Sequence, residues 1–330
     1  MTGRATRITV LALSLAVLLG TPGRAAEKVT FMIDWLPAGD KAAPYLGVKK
    51  GLFAAEGLDV VIQSGRGSSD VVTKLGTGAA DIGTGGLAAL LQAKAETSVP
   101  VKAVYSIYTK QADAIFTTEG SGITSLKDVA GKKIATATFS SSNVAWPLVL
   151  RANGIDPASV QLLKVDPGAL APMLAAGQVV ATINWVTVAA AFEGPVGEAK
   201  KKLAVLPWSN YGYDGYGLSL FVSEKMLKER PAVVKKFVKA YAEATRMAIA
   251  DPKAAAEALK AMVPEIDVAT AEKQFVSSIP LMVNEVSKRD GDGAFDAALL
   301  KTSWEWVAKA QNLPLDKLDP ETVVDRAAAK

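Results

Sequence analysis

The sequence predicts an α/β protein of two similar lobes, each a mainly parallel sheet flanked by helices. Two observations carry this. A pattern of strand, helix, glycine, strand, helix, glycine, strand starts at Val29 and starts again at Lys133, about one hundred residues on. Strands separated by helices imply parallel pairing through right-handed crossovers. A repeat at that spacing implies two copies of one architecture, and the helical last third of the chain is then left to pack on one of them.

The opening residues stand outside that pattern. Arg4 and Arg7 precede an apolar run, 8–19, followed by Thr21-Pro22-Gly23 and the small residues Ala25 and Ala26. A basic start, an apolar run too short to span a bilayer and a small-residue exit predict a cleaved secretory signal over 1–25. No cysteine follows the run, so no lipid anchor is expected. The mature chain is expected to be periplasmic and freely diffusing.

In the first copy, 29–33 reads as a buried strand and 43–56 as a helix closed by Gly57. Then come a strand at 58–63, a helix at 68–75 stopped by Gly76, and a short strand at 80–84. The second copy gives a strand at 133–137, a helix at 145–153 ending at Gly154, and a strand at 160–164. A helix at 169–175 stopped by Gly177 and a strand at 179–183 complete it. Between the copies, 101–118 is β-rich and holds Tyr105, Tyr108 and Phe116; after them, 208–222 is aromatic and glycine-rich, ending in a strand-like 217–222. These are the natural crossings between lobes. Pro231 opens a helix with Val234, Phe237, Val238, Tyr241 and Ala244 on one stripe. Further helices follow at 252–262, 269–278 and 295–311, with Trp304 and Trp306 read as packing residues.

Charge and composition remove several classes of function. The chain has 37 Lys+Arg and 33 Asp+Glu, but Arg4, Arg7 and Arg24 leave with the signal, so 34 face 33 in the mature chain. No basic excess remains for a phosphate backbone, and nucleic acid is not an expected partner. Half the residues are apolar, enough for a sizeable core, and there is neither Cys nor His. Packing alone must hold the exported chain, and the usual general base and commonest metal ligand are missing.

Open parallel sheets bind ligands at the carboxyl ends of their strands. That rule selects Asp34 and Trp35, then Arg66, Gly67, Ser68 and Ser69, then Thr84 and Gly85 in the first half. In the second half it selects Ser140, Ser141, Ser142 and Asn143, then the strand end Asn184-Trp185, of which Trp185 joins the candidate set. The serine-rich loops open helices, where hydroxyls and backbone N–H groups receive an acceptor or anion, or simply cap the helix. Trp35 and Trp185 offer flat walls to a planar ligand, with core filling as the plain alternative. Asp34 would bind an amino or ring N–H, or cap the next segment. Tyr108 and Tyr213 lie on the two crossings and complete the candidate set; Tyr211 and Tyr216 compete with Tyr213 for the second place.

Enzyme motifs fare poorly. Gly65-Arg66-Gly67-Ser68-Ser69-Asp70 follows a strand and opens a helix, but Asp70 stands where a dinucleotide fingerprint needs a small residue. No Ser–His or Cys–His pair is available, and no G-x-S-x-G or S-x-x-K occurs. The acidic run at 290–296 lacks the glycine and final glutamate of a calcium loop and reads as a surface turn. No cofactor and no catalytic or metal-ligating residue are expected.

Asp34-Trp35, Pro44-Tyr45-Leu46-Gly47, Lys50-Gly51-Leu52-Phe53 and Glu56-Gly57-Leu58-Asp59-Val60 together resemble the opening of NMT1/THI5-like (SsuA/THI5-like) substrate-binding proteins. Gly67-Ser68-Ser69-Asp70, Gly78-Ala79-Ala80-Asp81-Ile82-Gly83 and the run from Leu126 to Ala135 are similar to that family's later landmarks. The resemblance implies a type II periplasmic-binding-protein clamshell with two crossover hinge strands. Its first lobe takes in 26–115 and the helical return 217–330, and its second lobe spans 116–216. It implies a monomeric, non-catalytic receptor that delivers a small molecule to an ABC permease and its ATPase. The Asp34-Trp35 pair looks like the branch that holds pyrimidine precursors of thiamine between aromatic side chains. Aliphatic sulfonates, taurine, nitrate and small aromatic acids are the alternative ligands. The family also covers a eukaryotic pyrimidine synthase that uses a histidine and a cysteine-rich motif, neither of which this chain has. An exported carboxylate- or serine-dependent enzyme and a sensor partner are the other classes.

Overall fold

The computed structural model describes residues 26–328, so the signal expected at 1–25 lies outside the described residues. Among the described residues, ten strands form two sheets of five. They are β1 (Glu27–Ile33), β2 (Leu58–Ser64), β3 (Ile82–Gly86), β4 (Val101–Ser106), β5 (Asp113–Thr118), β6 (Lys133–Ala137), β7 (Gln161–Val165), β8 (Ala181–Trp185), β9 (Leu203–Pro207) and β10 (Leu218–Ser223). The first sheet runs β2-β1-β3-β10-β4 and the second β7-β6-β8-β5-β9. In each, the two outer pairs of the repeat are parallel and one strand runs the other way: β10 against β3 and β4, β5 against β8 and β9. β10 and β5 are the strands that arrive from the other lobe, so each crossing feeds an antiparallel strand into an otherwise parallel sheet.

The two links between the sheets are 107–112 and 208–217. The first crossing thus lies before Asp113 rather than between 115 and 116, because all of β5 pairs within the second sheet. The same pairing moves two strand ends. β3 and β8 stop at Gly86 and Trp185, two residues later than periodicity predicts, since Leu218 pairs with Gly86 and Asp113 with Trp185. Thr84, Gly85 and Trp185 therefore belong to strands and not to the loops after them.

Local chemistry explains the other departures. The helix expected over 43–56 is two, Ala42–Lys49 and Leu52–Ala55, broken at Gly51, which takes a φ of 71° that an L side chain resists. β9 and the helices Ala189–Glu198 and Glu285–Asp290 carry no strong periodicity and were not anticipated. The stripe on Pro231–Ala250 is buried as the period requires, and its Phe237 meets Phe31 and Phe53 at 5.0 Å in the first-lobe core. The helix Ala297–Ala310 bridges the lobes. Trp304 is buried in the first-lobe core, while Trp306 meets Tyr213 of the second lobe edge-on at 5.0 Å. Both are packing residues, as the sequence indicates.

Candidate functional site

The cleft between the sheets is built from the carboxyl ends of β1, β3, β6 and β8. Asp34 follows β1 directly and is 3% exposed. Its Oδ1 accepts the Thr84 hydroxyl at 3.1 Å and its Oδ2 the Ser68 hydroxyl at 3.0 Å. Ser68 Oγ in turn accepts the Gly86 N–H at 2.9 Å, which ties β1, β3 and the Ser68–Gly76 helix into one rigid floor. Lys41 lies over this floor, 3.2 Å from Asp34 Oδ1 and 3.5 Å from Asp40 Oδ2, and is itself 4% exposed. Burial works to neutralise the ammonium, but Asp34 and Asp40 outweigh it, and the Lys41 pKa rises above its ordinary value. It stays a cation. Two carboxylates to one ammonium give this wall a net formal charge of −1.

The other wall comes from the second lobe. Trp185 ends β8, and its ring lies 4.7 Å from the Lys41 ammonium, a cation–π contact with one face of the indole. Its Nε1–H donates to Asp113 Oδ1 at 3.2 Å, and the Ser142 hydroxyl donates to the same oxygen at 2.5 Å. Ser140 Oγ donates to Ser142 Oγ at 2.9 Å, completing the chain. Asp113 is fully buried. Burial raises its pKa, the bonds from Ser142 and Trp185 pull it back, and it settles at about 6.

The lobes are closed on each other. Thr187 donates to Asp40 Oδ2 at 2.8 Å, and the Ser69 N–H donates to the Phe139 carbonyl at 3.1 Å. A Cβ on Gly86 would come within 2.3 Å of Ser141 Oγ across the cleft. Each tryptophan reaches over: Trp35 packs on an apolar cluster of the second lobe and Trp185 on one of the first. A narrow cavity, partly continuous with solvent, lies between Asp34, Trp35, Lys41, Ser141, Asn184 and Trp185. Among the described residues, two buried acceptors on its lining have no hydrogen-bond partner, Asp40 Oδ1 and Asn184 Oδ1. Such atoms cost about 1–3 kcal/mol each when left unmatched, so they mark where a ligand gains most.

The NMT1/THI5-like family model matches residues 39–255. The chain belongs to this family. Among curated relatives it is 26% identical to the 4-amino-5-hydroxymethyl-2-methylpyrimidine phosphate synthase THI13 of Saccharomyces cerevisiae, covering 92% of each chain. It is 25% identical to the riboflavin-binding protein RibY of Chloroflexus aurantiacus, over 86% of this chain and 81% of that one. Among solved structures, the alkanesulfonate-binding protein SsuA of Xanthomonas axonopodis pv. citri, bound to MOPS, aligns with a TM-score of 0.70 at 18% identity. It covers 92% of this chain and 98% of its own. The fold is the two-lobed periplasmic-binding-protein clamshell.

Within this NMT1/THI5-like chain, six of the fifteen candidate residues line the cavity: Asp34, Trp35, Ser68, Ser140, Ser141 and Trp185. Thr84, Tyr108 and Ser142 stand behind it. Thr84 holds Asp34, Ser142 holds Asp113, and the Tyr108 ring lies 5.8 Å from Lys41. The remaining six do not line it. Arg66 is exposed and lies 5.2 Å from the Phe139 ring at the rim. Gly67, at a φ of 144°, makes room for the Phe139 backbone, and Ser69 bonds to that backbone. Gly85 makes room for the Phe221 ring. Asn143 bonds to Thr136 and to the Ala137 carbonyl, fastening its own loop. Tyr213 is core, packed between Trp208 and Trp306.

Sequence reasoning missed Asp40, Lys41 and Asp113. Asp40 and Lys41 looked like ordinary residues before a helix, since nothing local says that a lysine is buried. Asp113 carried one faint signal, an acid opening an apolar β-rich stretch.

Proposed function

We propose that the chain is the exported, periplasmic solute receptor of an ABC importer. It closes on a small, planar, nitrogen-containing molecule, such as a pyrimidine precursor of thiamine, and hands it to the permease without transforming it. The observation that carries this reading is the pairing of two tryptophans with a buried wall of net charge −1. A sulfonate, nitrate or carboxylate entering there meets two carboxylates against one ammonium and leaves the acceptors Asp40 Oδ1 and Asn184 Oδ1 unmatched. A neutral or cationic ring with N–H donors matches both. Arg66, the cation that would speak for an anionic ligand, is exposed at the rim. Ligand contacts from both lobes favour the closed arrangement, so binding and closure are coupled through the two links.

The test is mass spectrometry of the small molecule released from purified protein, followed by thermal-shift measurements. 4-Amino-5-hydroxymethyl-2-methylpyrimidine at one hundred times its Kd is expected to stabilise by about 2.7 kcal/mol. Taurine, nitrate and benzoate are expected to do nothing. Stabilisation by taurine alone would hand the site to sulfonates.

A second reading, an enzyme acting on such a ring, is supported by the similarity to yeast synthases over nearly the whole chain. Against it, the chain has no His or Cys, and its buried lysine is held as a cation rather than a nucleophile. Conversion of the bound pyrimidine during incubation, followed by chromatography, would favour the enzyme.

A further inference from the structure

We propose that Asp113 is a positioning residue that holds Trp185 and the 140–142 loop in their ligand-gripping arrangement. The inference rests on the receptor reading only for what is gripped. The positioning itself stands on geometry. One carboxylate oxygen, Asp113 Oδ1, receives both the indole N–H of Trp185 at 3.2 Å and the Ser142 hydroxyl at 2.5 Å, and Ser140 follows through Ser142. Asp113 does not line the cavity, whereas Trp185, Ser140 and Ser141 do. It acts through them.

The placement follows from the sheet. Asp113 is the first residue of β5 and pairs in register with Trp185, the last of β8. It also follows the 107–112 link directly, so it sits where the crossing strand enters the second sheet. A hinge movement delivered along that link reaches Trp185 through this pair. The groups facing Asp113 are neutral donors from β8 and from the 140–142 loop, and from the second crossing the Tyr213 phenol. Burial first, and the charge of Asp113 second, push that phenol well above its ordinary range. No cation is among the influences on Asp113, so burying it carries a cost that a purely structural position would avoid with an apolar residue.

Intrinsic fluorescence of the full chain, titrated from pH 4.5 to 8, tests the coupling without any ligand. The wild type is expected to show an emission change with a midpoint near 6. Asp113→Asn and Trp185→Phe are each expected to abolish it. Binding of 4-amino-5-hydroxymethyl-2-methylpyrimidine, followed by calorimetry, tests the consequence. Asp113→Leu is expected to weaken it about 10- to 100-fold, the range for loss of hydrogen bonds to a charged group. Asp113→Asn keeps a carbonyl acceptor and is expected to recover most of that loss. In the Trp185→Phe background, Asp113→Leu is expected to cost less than it does alone, since only the Ser142 bond is then left to lose. A titration that persists in Asp113→Asn or in Trp185→Phe overturns the proposal, as does an Asp113→Leu affinity within about twofold of wild type. If the pyrimidine fails to bind the wild type, the ligand reading falls, and the fluorescence arm still decides on Asp113.

Discussion

β3 and β8 hold the same place in their sheets, third in order and five residues long, yet one ends in Gly86 and the other in Trp185. Their antiparallel partners keep the same step, Leu218 pairing with Gly86 as Asp113 pairs with Trp185, so only the side chains at the strand ends differ. One topology thus yields a hollow in the first lobe and a projecting wall in the second. Ser141 of the second lobe comes to rest on the hollow, and Trp185 comes to rest over Lys41 of the first. The difference teaches that a repeated fold makes a cleft only when its two copies are unlike at the strand ends. Identical ends would clash or leave a gap.

Charge is divided in the same unequal way. The first lobe meets the cleft with Asp34, Asp40 and Lys41, the second with hydroxyls, an amide and one buried acid behind the wall. Removing the cation is the largest test of that contrast. Lys41→Met leaves two buried carboxylates uncompensated and is expected to cost about 3–5 kcal/mol in urea unfolding. A cost under about 1 kcal/mol, the level of an exposed pair, would mean that the charged wall is not what it looks like.

The second lobe answers with pH. Asp113 moves from an ordinary 3.8 up to about 6, so the folded state holds this proton more tightly than the unfolded chain does. Its contribution to stability is complete below about pH 4 and is lost as pH rises through 6, about 3 kcal/mol in all. Calorimetric melting of Asp113→Asn across pH 4 to 7 is expected to lack that decline. Retention of the full slope would place the responsible group elsewhere.

Wall and hollow are separable by two single changes. Trp185→Ala removes the wall and is expected to weaken pyrimidine binding by about 2 kcal/mol or more, roughly 30-fold, in calorimetry. Gly86→Ala fills the hollow. Its backbone φ of −65° suits alanine, so the added methyl acts across the cleft, chiefly on Ser141 and, at 3.3 Å, on the edge of the Trp185 ring. It is expected to cost about 1–2 kcal/mol of affinity, and X-ray scattering of the liganded protein is expected to find a less closed molecule. Unchanged scattering and affinity would show that Ser141 yields freely. The smallest effect is expected at the rim: Arg66→Ala should change affinity by less than about threefold, since the side chain is exposed.

Much of the cavity lining was legible because strand ends are legible. Asp34, Trp35, Ser68 and Trp185 were reached by asking which residues follow buried strands and precede helices, a local question. Lys41 was not reachable that way. A lysine in sequence reads as solvated, and only the approach of Asp34, Asp40 and Trp185 from three segments makes it a buried cation. Tyr213 failed in the opposite sense: an aromatic on a crossing could face either way, and the bridging helix Ala297–Ala310 turned it into core.

The sequence by itself determined the two βαβ repeats, the two crossings, the helical return and the absence of histidine and cysteine chemistry. These rest on hydrophobic period, on glycine and proline stops and on composition, all of which act within a few residues. Only the tertiary structure decided that β3 and β8 run two residues further, that Gly86 faces Ser141, and that Asp113 holds Trp185. Those depend on β5 and β10 crossing from one lobe into the other sheet, and pairing between distant segments leaves no local mark.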